Sequence, residues 1–442
     1  MTDVFLENTC LCYYLSAFLA DVSPASIQRL SSTRSTTNMR YIMKSILQIV
    51  RALGMAGRQT CLLGVVVVVA QWPAISAAQQ TSTRYVITAD DETPNLTNTA
   101  TFFSIGLGGA LTQVATTASG GAGSAGGYFA ASRVSVLHNA QADCAFVGNG
   151  ASNTVGALSV QTQTLVASFF GSGTDTGGTV GVGLATNDIY LYVGFGGSNT
   201  IGTFAVEPGC ALAFIGDSSV LGLNGGTITG LAARGNILVV TYGDASIESF
   251  NISQGMPISN GDAQNSTGST NDHIPNGVDI TSDGHYAIFG DASTVTTVEV
   301  SDISSGKLTP TIVYNVGTAW NSASVWLSPD ETLLYISNSS GGQVTAAFFD
   351  KATGTVTRGC VSQRLNGFYN GWVYAGRVGT ALSTGTGSVL YVPEFGGPSS
   401  VGIVNVQASN GKCTLTEAPG SPVSDPNSST LISIGVYPAR PF

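Results

Sequence analysis

A chain of 442 residues with 43 % apolar side chains can bury a large core, yet only 10 % of its residues are charged while 56 are glycine. That balance excludes long surface helices, which draw on Glu, Lys and Arg, and fits many short strands joined by many turns. Sixteen Lys and Arg stand against 26 Asp and Glu, a net charge of −10, so no basic stripe exists to neutralise phosphates and nucleic acid is set aside as a partner.

In chain order, the first feature is a segment to remove before any fold reasoning. From Met43 the chain carries Lys44, Arg51 and Arg58, then the apolar run from Cys61 to Ala70, then small residues at Ser76, Ala77 and Ala78. A basic stretch, a short apolar stretch and an A-x-A-like site make residues 43–78 a signal peptide, with residues 1–42 a leader or translation from a start placed too early. The apolar run is about half of the ~20 residues that a membrane span needs, so no span is expected after cleavage and the protein is expected to be secreted or periplasmic. Cleavage after Ala78 leaves Cys144, Cys210, Cys360 and Cys413, an even number that suggests two disulfides in an exported chain; four cysteines allow three pairings. No two of them lie within four residues of one another, which excludes a zinc ribbon or a CxxC redox site.

From residue 85 onward one pattern returns. "AFVGNGASNTVGAL" at 145–158 is repeated as "LYVGFGGSNTIGTF" at 191–204, with the same glycines and the same Ser-Asn-Thr. Anchored on the apolar residue that opens the strand after the turn, the series runs Ala100, Val155, Ile201, Ile247, Val295, Val344 and Val401. Seven copies at a period of about 50 residues, with alternating apolar strands, predict a propeller. Each copy has a preceding strand, such as "LLYISN" from Leu333, and before it another that ends on an Asp-Gly or Pro-Asp turn, as in "NGVDITSDG" at 276–284. A looser fourth strand follows, such as "ALAFIGD" from Ala211. The first copy opens at Tyr85 with its second strand, and "TLISIGVYP" from Thr430 to Pro438 has the pattern of a first strand with no second to follow. The ring is therefore expected to close by pairing these two, which leaves no bare edge. The fold class predicted for residues 79–442 is an all-β, seven-bladed propeller of four-stranded antiparallel blades.

The succession of Asp-Gly or Pro-Asp, then LYV or LYI, then Ser-Asn and Val, as in "SPDETLLYISNSSGGQV" at 328–344, resembles the lactonase-like seven-bladed propellers, the superfamily of 6-phosphogluconolactonase and the YVTN repeat proteins. The resemblance covers about residues 85–442 and is specific for fold, not for activity. It implies a His, an Arg and a Glu on one face, and His273, Arg377 and Glu394 are the candidates for a carbonyl-polarising and water-activating set. The pattern departs from the family at "NDHIPNGVD", which has the His without the expected Arg beside it.

In blades of alternating strands, the loops after strands two and four open on one face. These loops carry Asp90, Asn149, Asp244, Asp291 and Asn338, and also Trp320, Trp372 and Tyr374, an acidic and aromatic rim suited to a hydroxylated ligand or to a cation. No cofactor is expected, with a channel Ca²⁺ as the one ion the rim suits. In blade geometry the cysteines fall on the opposite face, Cys210, Cys360 and Cys413 each opening a fourth strand and Cys144 a second. Neighbouring blades then bring Cys144 to Cys210 and Cys360 to Cys413. Two functions are open: a monomeric binding or scaffold module for a small molecule, a glycan or another envelope protein, and a sugar-lactone hydrolase. From Gln79 onward, 10 basic residues against 23 acidic ones give −13, which offers an anionic phosphosugar little attraction.

Overall fold

The computed structural model describes residues 84–91, 97–123, 133–139, 142–172, 179–184, 189–220, 222–266, 275–291, 296–317, 322–338, 341–367, 378–379, 387–394, 399–428, 431 and 433–438. All belong to one unit, Thr83–Phe442. The expected signal peptide at 43–78, with its cleavage site, and residues 1–42 lie outside the described residues.

Local chemistry makes the strands. Runs such as Leu-Leu-Tyr-Ile-Ser-Asn are β-branched and aromatic, and both faces of the inner strands are buried. Turn chemistry stops them. In blade 6 the Asp330 carboxylate accepts from the Ser328 hydroxyl at 2.7 Å and from the Thr332 N–H at 3.2 Å, fixing the bend between strands one and two. In blade 5 the same bend is made by Thr281 and Asp283, with Gly284 at φ +70° taking the left-handed position.

The strands form seven antiparallel sheets. Blade 2 shows the plan from the inside outward: Val134–His138, Asp143–Asn149, Thr154–Ser159 and Thr164–Phe170. In blades 4 and 7 the outer position is shared by two short pieces, Ile258–Ser259 with Gln264–Asn265, and Lys412–Glu417 with Val423–Ser424. The core lies between blades. Seven apolar clusters, one per seam, join neighbours; Phe146, Val155, Phe195 and Phe204 fill the seam of blades 2 and 3. The last seam, of blades 7 and 1, is as apolar as the rest, with Phe103, Tyr391, Ile403 and Ile434.

Closure follows the predicted route. Ser433–Tyr437 pairs antiparallel with Tyr85–Ala89 in unbroken register from Tyr85↔Tyr437 to Ala89↔Ser433, and so supplies the innermost strand of blade 1. The fold is an all-β ring of seven four-stranded antiparallel blades.

Two sequence expectations are displaced. The third strand of blade 5 is Thr297–Asp302, and the residue in the register of Val155, Ile201 and Val344 is Val298, facing Gly290, rather than Val295. The sequence "DASTVTTVEV" offers two Thr-Val phases, and five residues separate Asp291 from Thr297, one more than the four between the matching strands of blades 2, 3 and 6. Both disulfides form as paired, Cys144–Cys210 and Cys360–Cys413, each with Cα atoms 5.6 Å apart. Cys360, however, does not open a fourth strand. It stands next to the end of Thr355–Val361, because the turn through Gly354 lets that strand begin five residues earlier.

Candidate functional site

Seven second strands end on one face, and their last positions are the candidate site. In the aligned register these are Asp90, Asn149, Phe195, Tyr242, Asp291, Asn338 and Glu394. Five of the seven are polar, and burial decides what each can do.

Asn149 and Asn338 are fully buried. The Asn149 carbonyl oxygen accepts from Asn98 Nδ2 at 3.0 Å and from the Ser119 hydroxyl, while its Nδ2 donates to the Ser119 carbonyl and to Thr154. The cover comes from blade 1, whose outer strand Leu111–Ala122 is long enough to cross onto blade 2, where Ala151 N–H donates to the Ala122 carbonyl. Asn338 accepts from Thr296 of the neighbouring blade at 2.9 Å and donates to Thr345 at 2.7 Å. Both amides are spent within and between blades.

Asp244, in the turn after Tyr242, is half-buried. Burial raises its carboxyl, but hydrogen bonds from the Ser246 hydroxyl and from the N–H groups of Asn224, Ser246 and Gly226 outweigh this and hold it below the usual carboxylate range. Asp291 ends the second strand of blade 5 with Thr297 as its backbone partner.

Asp90 is fully buried in a cage of hydroxyls from Thr88, Thr99 and Thr101, the last two at 2.7 and 2.8 Å. Burial first, and then the facing Asp425 carboxyl, push it well above its ordinary value; burial raises Asp425 as well. Two like charges this close in a buried site disfavour ionising both carboxyls. The adjacent Asp91 pairs with the buried Arg133 of blade 2. Asp425 lies in the loop that leads to the closing strand, and sequence reading passed over it. The sharp "SDPNSS" turn before "LISIGVY" is the signal that could have found it.

Glu394 differs from the other strand ends. It is 1 % exposed, and its Oε2 accepts from the Ser400 hydroxyl at 2.9 Å. Among the described residues its Oε1 has no hydrogen-bond partner. Burial, with a smaller contribution from the nearby Glu417, lifts the carboxyl to about 8 against the opposing Ser400 hydrogen bond. At pH 7 it is a neutral acid. Two glycines leave room for it: a Cβ on Gly402 would stand 2.5 Å from Oε1, and one on Gly367 would overlap Oε2. Glu417 is itself held by the Ser421 hydroxyl and the Asn366 N–H, at 2.8 and 3.0 Å.

His273, Arg377, Trp320, Trp372 and Tyr374 lie outside the described residues, so Glu394 is the one member of the expected catalytic set whose surroundings are described. Among the described residues no three His, Cys, Asp or Glu side chains converge where a metal ion could sit. Nor is any described helix long and apolar enough to cross a membrane.

No protein-family model matches the chain, and no curated protein is significantly similar to it in sequence. Similarity appears in solved structures. A candidate 6-phosphogluconolactonase from Bacteroides fragilis superposes with a TM-score of 0.60 at 14 % identity, over 81 % of this chain and 99 % of its own. A second, from Bacteroides uniformis, gives 0.59 at 14 % identity over 80 % and 100 %. A protein of unknown function from Desulfotomaculum acetoxidans gives 0.55 at 14 % identity over 80 % and 98 %. Identity at this level speaks for architecture alone. With seven closed blades and superposition over 80–81 % of its length, the chain has the fold of the lactonase-like seven-bladed β-propellers.

Proposed function

We propose that this chain is an exported propeller that binds an uncharged hydroxylated ligand, a sugar or glycan, on the face where the second strands end. The observation that carries the reading is Glu394: a buried, neutral carboxylic acid with one oxygen unused, at a position where the other polar strand ends with described side chains are satisfied internally. A neutral acid donates to a hydroxyl or carbonyl and does not repel the acidic surroundings as a carboxylate would. The net −13 after residue 79 favours a neutral sugar over a phosphorylated one. Export is supported by the two disulfides, which persist in oxidising compartments, and by the apolar run from Cys61 to Ala70.

A second reading, sugar-lactone hydrolysis, is favoured by the same residue. An acid with a pKa of about 8 is matched to protonating the leaving alkoxide when a lactone ring opens at neutral pH. His273 is the sequence candidate for activating water.

Calorimetric titration of neutral sugars, sugar lactones and their phosphorylated counterparts, paired with a lactone turnover assay, separates the readings. Glu394→Gln keeps a donor of the same shape but cannot transfer a proton. For a binding module its affinity stays within about twofold, while Glu394→Leu loses roughly five- to tenfold, the worth of one hydrogen bond. For a hydrolase Glu394→Gln keeps affinity and loses turnover by about 10²-fold or more. In both cases wild-type affinity falls as pH rises through about 8, when the donor ionises. No binding to any neutral sugar or lactone, with the protein folded, removes both.

A further inference from the structure

Asn-X-Ser/Thr occurs five times in the chain, at Asn95, Asn251, Asn265, Asn338 and Asn427. Asn95 lies outside the described residues. The structure sorts the other four by one chemical criterion, whether the side-chain nitrogen that would carry a sugar is exposed and unused. Asn338 is fully buried and its Nδ2 donates to Thr345 at 2.7 Å. Asn427 is half-buried and its Nδ2 donates to Thr116 at 2.9 Å, a bond that ties the closing loop to blade 1. Asn251 and Asn265 are exposed, and among the described residues neither Nδ2 has a hydrogen-bond partner. In Asn251 the side-chain oxygen accepts from the Ser253 N–H at 2.9 Å, which folds the triplet into an Asx-turn with the oxygen engaged and the nitrogen left over.

We propose that Asn251 and Asn265 are N-glycosylation acceptors and that Asn338 and Asn427 are not; the proposal rests on the export reading. In the step, the amide nitrogen attacks C1 of an oligosaccharide carried on an isoprenoid diphosphate. The C1–O bond to the diphosphate breaks, a C–N bond forms, the isoprenyl diphosphate departs, and the amide proton passes to a base of the transferase.

Both acceptors lie on blade 4, at opposite ends of the strand Ser246–Asn251: Asn251 pairs with Ile258 at one end, and Asn265 with Ser246 at the other. The outer layer of this blade is broken into two dipeptides, and Ile258 is 59 % exposed directly across from Asn251. A bulky hydrophilic glycan at Asn251 covers that apolar side chain and blocks the open edge against pairing with another chain.

The test expresses the full chain in a eukaryotic secretory host in two forms, one with its own N-terminus and one preceded by a proven secretion signal of the host. The first form reads export. The second enters the secretory compartment whatever its own leader does, and it reads glycosylation. Enzymatic removal of N-glycans in heavy-oxygen water, followed by peptide mapping, is expected to label Asn251 and Asn265 in most molecules of the second form and to leave Asn338 and Asn427 unlabelled. Ser253→Ala, which keeps Asn251 and destroys only its triplet, is expected to remove the Asn251 label alone. A secreted, protease-resistant second form with unlabelled Asn251 and Asn265 overturns the proposal even if the first form is exported; labelling at Asn338 or Asn427 overturns the criterion that sorts the sites.

Discussion

Asp90 and Glu394 occupy the same place in their blades, yet one carboxyl is caged by three threonines and the other keeps an idle oxygen. Register alone brings both to the same face, which is why both could be read from the strand pattern. What that pattern does not carry is satisfaction. Asn149 is spent on Ser119, 30 residues away, and Asn338 on Thr296, 42 away across a seam. Which rim residue stays available is therefore a property of neighbouring blades. The Asp90–Asp425 pair makes a measurable difference at this scale. Both folded-state values are raised, so their contribution is fully present below the ordinary carboxylate range and is lost as pH rises through the raised values. Asp425→Asn removes the like charge and keeps the hydrogen-bonding shape beside Asp90, with Asp91 still paired to Arg133. Calorimetry is expected to show the variant about 1–3 °C higher in Tm than wild type above neutral pH, with the gap closing in acid. An equal gap at every pH would mean that the two carboxyls do not repel one another.

The blade is legible as an element because its strands repeat, and it is least legible where a strand outgrows the repeat. Leu111–Ala122 is twelve residues long, and it brings the Ser119 carbonyl onto Gly156 of blade 2 so closely that a Cβ there would overlap it. Gly156 recurs as Gly202 in the quoted repeat, and the repeat by itself gives no reason for a glycine inside a strand. The reason in the structure is a neighbouring backbone that cannot move aside. Gly156→Ala is expected to destabilise by about 1–3 kcal/mol in denaturant unfolding, the range for forced overpacking, with loss of contact between blades 1 and 2. The disulfides act at the same scale, since each joins neighbouring blades. The Cys144→Ser, Cys210→Ser double variant is expected to lose about 2–5 kcal/mol. Their pairing was readable from blade order, whereas the place of Cys360 within its strand depended on a turn length that the repeat does not set.

At the scale of the whole molecule, the number of blades and the route of closure both follow from the sequence, because a first strand without a partner and a second strand without a predecessor complement each other. Removing residues 430–442 should leave Tyr85–Ala89 with one pairing edge empty and the apolar seam of blades 7 and 1 without Ile434 and Val436. Limited proteolysis is expected to cut such a chain throughout the ring; resistance equal to the intact protein would mean that the circle holds without its closing strand. The ligand is the part that stayed out of reach. The repeat sets the strands and their ends, whereas the segments between blades, where His273, Trp320 and Trp372 stand in the sequence, do not repeat.

The pairing of Tyr85 with Tyr437 joins two points separated by nearly the entire propeller in sequence. A ribosome making this chain finishes every other blade before the founding one can be completed, so the nascent protein stays an open arc with two sticky margins through almost all of its synthesis. Contacts that span so much chain form slowly, and the unlocked arc is the species most exposed to chaperones and to self-association. The arrival of the final stretch is thus the step that turns an open arc into a ring.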